Sequence, residues 1–155
     1  MEVIKDYDQS TSGLKVVKEG NIIKSYNRMG KEFHFIDTSY LSKGILFHGW
    51  IGFRTGDQIK EVLSGHLYEM FEQNKCTNMI IDNRKMEGSF SSVNDWLAND
   101  YMPSLIKLGL SNNGVVLPAN VFAKLAVDDW DKKVSGFATR NFDNTEAAIS
   151  WVQSN

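Results

Sequence analysis

The chain is predicted to fold as an α/β domain with a mixed, mostly parallel sheet and antiparallel N-terminal strands. Three observations predict this. The runs Met79-Ile80-Ile81 and Val115-Val116-Leu117 are apolar without alternation, as in strands covered on both faces. Around them apolar residues recur at helical spacing, giving the order helix, strand, helix, strand, helix, strand, helix. Ahead of these, three short apolar segments follow each other too closely for crossovers, so they pair as antiparallel neighbours. The alternation in the second part implies right-handed crossover connections.

In chain order, residues 1–20 are polar, with Gln9-Ser10-Thr11-Ser12-Gly13 as a loop, and read as an N-terminal extension with frayed ends. Residues 21–155 form the single domain. Its first strands are residues 21–28 (Ile22, Ile23, Tyr26), 32–37 and 44–51, separated by turn signals at Gly30 and Gly44. The first helix opens on Thr55-Gly56-Asp57-Gln58, which has the spacing of a capping box. Ile59, Val62, Leu63, Leu67, Met70 and Phe71 fall on one face of it. Gly65 lies inside that helix at a cost of about 1 kcal/mol against Ala, which suggests close packing there.

The buried strand 78–82 follows, then a polar loop. Ser92-Val93-Asn94-Asp95 has the pattern of a helix start, and Val93, Trp96, Leu97, Tyr101, Leu105 and Leu108 share a face. Pro103 should kink or restart this helix. A third parallel strand, residues 114–117, stops at Pro118. Asn120 is the expected N-cap of a helix carrying Val121, Phe122, Leu125, Ala126 and Trp130. Residues 136–142 form the last strand. Asp143-Asn144-Thr145-Glu146 caps a terminal helix docking through Ala148, Ile149, Trp151 and Val152.

Composition sets bounds on function. The 155 residues suit one domain, and 42% hydrophobic with 23% charged residues is ordinary globular composition. A net charge of −2 with interspersed signs argues against nucleic-acid binding, which needs clustered cations. The single Cys76 allows no internal disulfide, which suits a reducing compartment. The first residues lack a secretory pattern, and no apolar run reaches the ~20 residues of a membrane helix. A cytoplasmic location and no membrane span are the expectations.

In open α/β sheets, ligands bind beyond the carboxyl ends of the strands. The richest such segment is 82–92, with Asp82, Asn83, Arg84, Ser89, Ser91 and Ser92 as candidate binding or interaction residues and Asn120 at the next strand end. A helix start there would favour an anion, and Arg84 could add a bidentate contact to phosphate or carboxylate. The structural alternative is that Asp82 accepts backbone hydrogen bonds in a folded-back turn. There is no Gly-rich phosphate loop, so no cofactor is expected. No catalytic residue is assigned: no Gly-x-Ser-x-Gly elbow exists, and Cys76 precedes a buried strand without an activating partner. His34, His48 and His66 have no short ligand spacing, so no metal site is expected; His66 reads as a core or boundary residue. Asp128-Asp129-Asp131 reads as a solvated helix end. Trp50, Trp96, Trp130 and Trp151 read as core anchors, or as the lining of a cleft between sheet and helices.

Ile80-Ile81-Asp82-Asn83-Arg84, Trp96 with Pro103 and Gly109, Val115-Val116-Leu117-Pro118, and Phe142-Asp143 with Glu146-Ala147-Ala148 and Trp151 together form a further pattern. It resembles the bacterial SpoIIAA-like proteins of the STAS group (sulfate transporter and anti-sigma-factor antagonist), sometimes catalogued with the CRAL-TRIO lipid-carrier fold. The resemblance covers residues 44–152 and implies a right-handed β-α superhelix and a binding or regulatory domain rather than an enzyme. In anti-sigma-factor antagonists a phosphorylatable Ser or Thr follows the strand-end Asp. Here Asn83 holds that place, so the phospho-switch does not carry over. The leading expectation is a non-catalytic regulatory or protein-interaction module using segment 82–92. The alternative is a carrier of a small apolar or anionic ligand, lipid-like or nucleotide, in a cleft at the strand ends. Homodimerisation through an edge strand or exposed aromatics is left open.

Overall fold

Nine strands join in one sheet in the order β1-β2-β3-β4-β5-β6-β7-β9-β8. The computed structural model describes residues 1–125, 132–134 and 137–155. The strands are β1 (Glu2–Lys5), β2 (Lys15–Glu19), β3 (Ile22–Tyr26), β4 (Glu32–Asp37), β5 (Ile45–Gly52), β6 (Asn78–Met86), β7 (Asn112–Val116), β8 (Lys132–Val134) and β9 (Phe137–Phe142). The α/β class and the mixed sheet agree with the sequence. The proportion does not: among the described residues β5-β6, β6-β7 and β7-β9 are parallel, and the other five pairings are antiparallel.

Much of that difference comes from the first twenty residues. The expected extension instead supplies β1 and β2, and Leu14, Val16 and Val17 are buried. The missed signal is Gly20-Asn21. Glu19 pairs with Ile22 across this two-residue turn, and Gly20 takes the positive φ of 60° that tight hairpins favour. The loop 10–12 is tied to the first helix. The Glu61 carboxylate accepts hydrogen bonds from Ser10 Oγ (2.9 Å), Thr11 Oγ1 (3.1 Å), and both Ser12 N (2.8 Å) and Ser12 Oγ (2.5 Å). It also pairs with Lys5 Nζ at 3.0 Å. Burial alone would raise the Glu61 pKa, but the bonds from Ser12, Lys5 and Ser10 outweigh it and hold the carboxyl at about 2.

One face of the sheet is covered by two interrupted helices. α1 (Gly56–Val62) runs through a π turn (Leu63–Leu67) into α2 (Tyr68–Gln73). Thr55 and Gln58 make the expected capping box. Gly65 corrects the packing expectation. A Cβ there would meet only Lys5 Nζ at 4.0 Å, and the residue instead forms a kink with φ −97° and ψ −116°. α3 (Asn94–Trp96), a second π turn (Leu97–Tyr101) and α4 (Met102–Lys107) form the other helix. Pro103 lies in the first turn of α4, just after the π turn. The backbone stays helical at Leu97, Tyr101 and Met102, so the helix runs on with a π turn ahead of the proline in place of the expected kink or restart. The capping signature at Ser92 is not realised: a 3₁₀ turn (Ser91–Val93) precedes α3, and neither start has a side-chain cap.

The opposite face is covered by α6 (Thr145–Gln153), which docks Ala148 and Val152 against Ile80, Val116 and Phe142. Asn144 caps it by accepting from Ala147 N at 2.8 Å. α5 (Ala119–Leu125) starts two residues earlier than an Asn120 cap would place it. Pro118 O accepts from Val121 N and Phe122 N, so Asn120 lies inside the first turn rather than capping it, and Val121 is exposed. The expectations for Trp130, for Asp128-Asp129-Asp131 and for Gly136 lie outside the described residues.

Candidate functional site

Segment 82–92 is less of a loop than its polarity suggests. β6 continues to Met86, with Ile51 paired to Lys85 and Gly52 to Met86, so Asp82, Asn83 and Arg84 are strand residues. Polar side chains do not end a strand whose backbone still has a partner. Between the pairs Gly49–Asp82 and Ile51–Lys85, β6 carries one extra residue, a bulge opposite Trp50. The extra residue reverses the alternation, so Met86 rather than Lys85 returns to the helix side. Gly49 permits this approach: a Cβ on it would lie 2.6 Å from both the Asp82 carbonyl oxygen and Phe35 Cε1.

Ordinary strand alternation divides the candidate residues between the two faces of the sheet, and the bulge then keeps Lys85 on the face of Arg84. Asp82 and Arg84 face a charged groove of about 290 Å³ with Lys24, Glu32, Phe35 and Lys85. Its charges largely pair among themselves. Arg84 donates from Nε and Nη2 to the two Asp82 oxygens, both at 2.9 Å, and Lys24 is 3.3 Å from Glu19 and 4.0 Å from Glu32. The bidentate carboxylate contact foreseen for Arg84 is thus made within the chain. Asp82 Oδ1 also accepts from Arg84 N at 3.2 Å, but on an extended strand and not in the folded-back turn that the sequence suggested. Ser89, Ser91 and Ser92 are exposed, with the Ser89 and Ser91 hydroxyls 3.0 Å apart. Asn120 is exposed and lines neither cavity.

Asn83 points the other way, into a cavity of about 230 Å³ between sheet and helices. Its floor is built from alternate residues of three parallel strands: His48 and Trp50 from β5, Met79, Ile81 and Asn83 from β6, and Val115 from β7. Leu63 of the first π turn and Leu97 and Tyr101 of the second form the roof, with Met102. Such π turns widen a helix locally and recur at functional sites. Phe90 stands at the side, its ring 5.7 Å from Trp50. Arg54 holds this wall in place. Its guanidinium lies over Phe90 at 4.6 Å and donates to the carbonyl oxygens of Gly52, Glu87 and Ser89.

Three polar atoms on the lining residues are buried with no hydrogen-bond partner: His48 Nε2, Asn83 Oδ1 and Tyr101 Oη. Leaving such a group unsatisfied costs about 1–3 kcal/mol, which an ordered water or a polar ligand group in the cavity would offset. Other buried atoms among the described residues share this status, His34 Nδ1 and both His66 nitrogens among them, but these three belong to residues lining one otherwise apolar cavity. Compared with family models, curated proteins and solved structures, the chain gives no match. The site is therefore read from its own chemistry.

Behind the pocket wall the three histidines converge, which their sequence spacing concealed. His34 pairs with Trp50 and His48 with Ile36 across β4 and β5, so the two rings are diagonal neighbours. His34 Nε2 lies 2.9 Å from His48 Nδ1, and the His66 ring centroid is 6.4 Å from that of His34. Burial holds all three imidazoles neutral, lowering His48 to about 3, His66 to about 4 and His34 well below its ordinary value. Among the described residues no three His, Cys, Asp or Glu side chains are arranged to hold a metal ion. Cys76 is fully buried, and desolvation pushes its thiol up to about 11, which makes it a poor nucleophile. Trp50 is both core and lining, as the sequence allowed. Among the described residues no helix is long and apolar enough to cross a membrane.

Proposed function

We propose that the chain is a non-catalytic binding domain that holds a small, mainly apolar ligand between its sheet and its interrupted helices. Of the two roles drawn from the sequence, the geometry favours the carrier over the interaction module. The observation that carries it is one apolar cavity lined by three buried polar atoms without partners. Sites for small molecules have this character: mostly hydrophobic walls with a few placed polar groups. Size narrows the ligand. An engineered cavity of about 150 Å³ takes benzene, so 230 Å³ suits a molecule of roughly ten non-hydrogen atoms rather than a nucleotide or a whole lipid. The parallel run β5-β6-β7-β9, with helical connections, supports reading this half as a STAS-type, SpoIIAA-like superhelix.

Native mass spectrometry of freshly purified protein, with thermal shift across small aromatic and branched aliphatic compounds, tests the proposal. A bound mass of roughly 100–200 Da, or a stabilisation that grows with concentration, is expected from linkage. A bare spectrum together with a flat thermal response to the whole set would remove its support. A regulatory interaction through the same rim is the second reading. It is favoured by Phe53, which is 71% exposed beside the 87–89 loop. Pull-down by the wild type but not by Phe53→Ser would favour it.

A further inference from the structure

Resting on the reading of the cavity as a ligand site, we propose that the site selects an uncharged ligand bearing a hydroxyl group, with a phenol as the best-fitting class. Two features of the wall lead there. The first is the absence, among the described residues, of any Asp, Glu, Lys or Arg from the lining. A carboxylate or ammonium entering it would leave water without gaining a counter-charge, a cost of several kcal/mol per ion. Arg54, whose guanidinium lies over the lining residues Trp50 and Phe90, has its Nη atoms bonded to loop carbonyls.

The second feature is the hydrogen-bonding character of the three unpartnered atoms. Asn83 Oδ1 accepts, and Tyr101 Oη both donates and accepts. His48 Nε2 does either, because of the ring behind it. The 2.9 Å contact between His34 Nε2 and His48 Nδ1 needs one proton. If His34 supplies it, neutral His48 carries its own proton on Nε2 and donates into the cavity. If His48 supplies it, Nε2 accepts. Both states are neutral and differ only in tautomer, so the pair adapts to its ligand without a change of charge. A hydroxyl, itself donor and acceptor, matches this set. A carbonyl alone leaves Asn83 Oδ1 unsatisfied. The aromatic sides of Trp50, Phe90 and Tyr101 favour a planar ring on which to carry it.

Isothermal titration of the full chain with 4-ethylphenol, 4-ethyltoluene and 4-methylbenzoate at neutral pH tests this, since the probes share a ring and differ at the polar end. The phenol is expected to bind about tenfold or more tighter than each of the others, because losing the hydroxyl strands buried partners. Tyr101→Phe and Asn83→Leu should each shrink the phenol-to-toluene ratio, with folding checked by circular dichroism. A measurement on the wild type avoids dependence on variants: phenol should shift the imidazole nitrogen resonances of His48 in a long-range proton–nitrogen spectrum. If 4-ethyltoluene binds as tightly as the phenol, or the carboxylate binds best, the hydroxyl selectivity is overturned while the cavity remains a ligand site. Unmoved His48 resonances at phenol saturation overturn it as well. If none of the probes binds, the phenol preference is overturned, and the ligand-site reading falls with it where the native spectrum and the wider thermal-shift set are blank as well.

Discussion

His34 and His48 show how single residues couple this core to its environment. Their rings are buried and neutral in the fold but ordinary bases once unfolded. With folded pKa values below the unfolded ~6.5, the unfolded chain binds more protons as pH falls, so stability declines below that value and levels off only near the folded pKa values. Between pH 7 and 5 each imidazole held neutral should remove on the order of 2 kcal/mol. Urea midpoints measured across that range check this; a flat profile would show that the rings are not held neutral. Gly49 is the second decisive residue. Gly49→Ala places a methyl against the Asp82 carbonyl and the Phe35 ring, and should cost about 1–3 kcal/mol as an overpacked site. Chemical denaturation with a loss below about 0.5 kcal/mol would mean that the bulge yields freely.

At the scale of elements, the attachment of β1 and loop 10–12 depends on one side chain. Glu61 receives Lys5, Ser10, Thr11 and Ser12 from the N-terminal segment, and its carboxylate is 10% exposed. Glu61→Ala removes the common acceptor, so amide exchange should accelerate through residues 2–13 and not in β6 or β7, with a global loss of about 1–3 kcal/mol. Uniform exchange rates in wild type and variant would contradict this. Because the depressed carboxylate pKa is near 2, this contribution is present above the usual carboxylate range and fades only as pH falls toward that value. The two π turns are the other element-scale device. Gly65 kinks one helix, Pro103 follows the π turn of the other, and Leu63 and Tyr101 from these two turns line the cavity.

For the whole molecule, the cavity implies a trade between stability and binding. Tyr101→Phe deletes a buried hydroxyl that has no partner in the ligand-free protein. The variant should be as stable as the wild type or up to about 1 kcal/mol more stable, while binding its hydroxyl ligand less well. Thermal melts with and without 4-ethylphenol separate the two effects. A variant that melts well below the wild type without ligand would show that the hydroxyl serves the fold instead. The large apolar cluster on the helix side joins β2, β3 and β4 to the parallel strands, so the antiparallel half and the ligand wall share one core.

The sequence by itself determined the class and the order of elements, because both follow from local periodicity and capping: the Thr55 box, the Asn144 cap and the apolar runs of β6 and β7 lie where their patterns placed them. It also contained the Gly20-Asn21 hairpin, overlooked because its flanking strands sit in a polar setting. Only the tertiary structure decided the site. Strand alternation sends Asn83 to one face and Asp82 and Arg84 to the other, while the bulge, which depends on how β6 registers against β5, keeps Lys85 with Arg84 and turns Met86 to the helix side. The meeting of His34 with His48 depends on the register of β4 against β5, and that of Tyr101 with Asn83 on helix packing. Register and packing are long-range choices set by the burial of whole faces, and no local spacing in the chain records them.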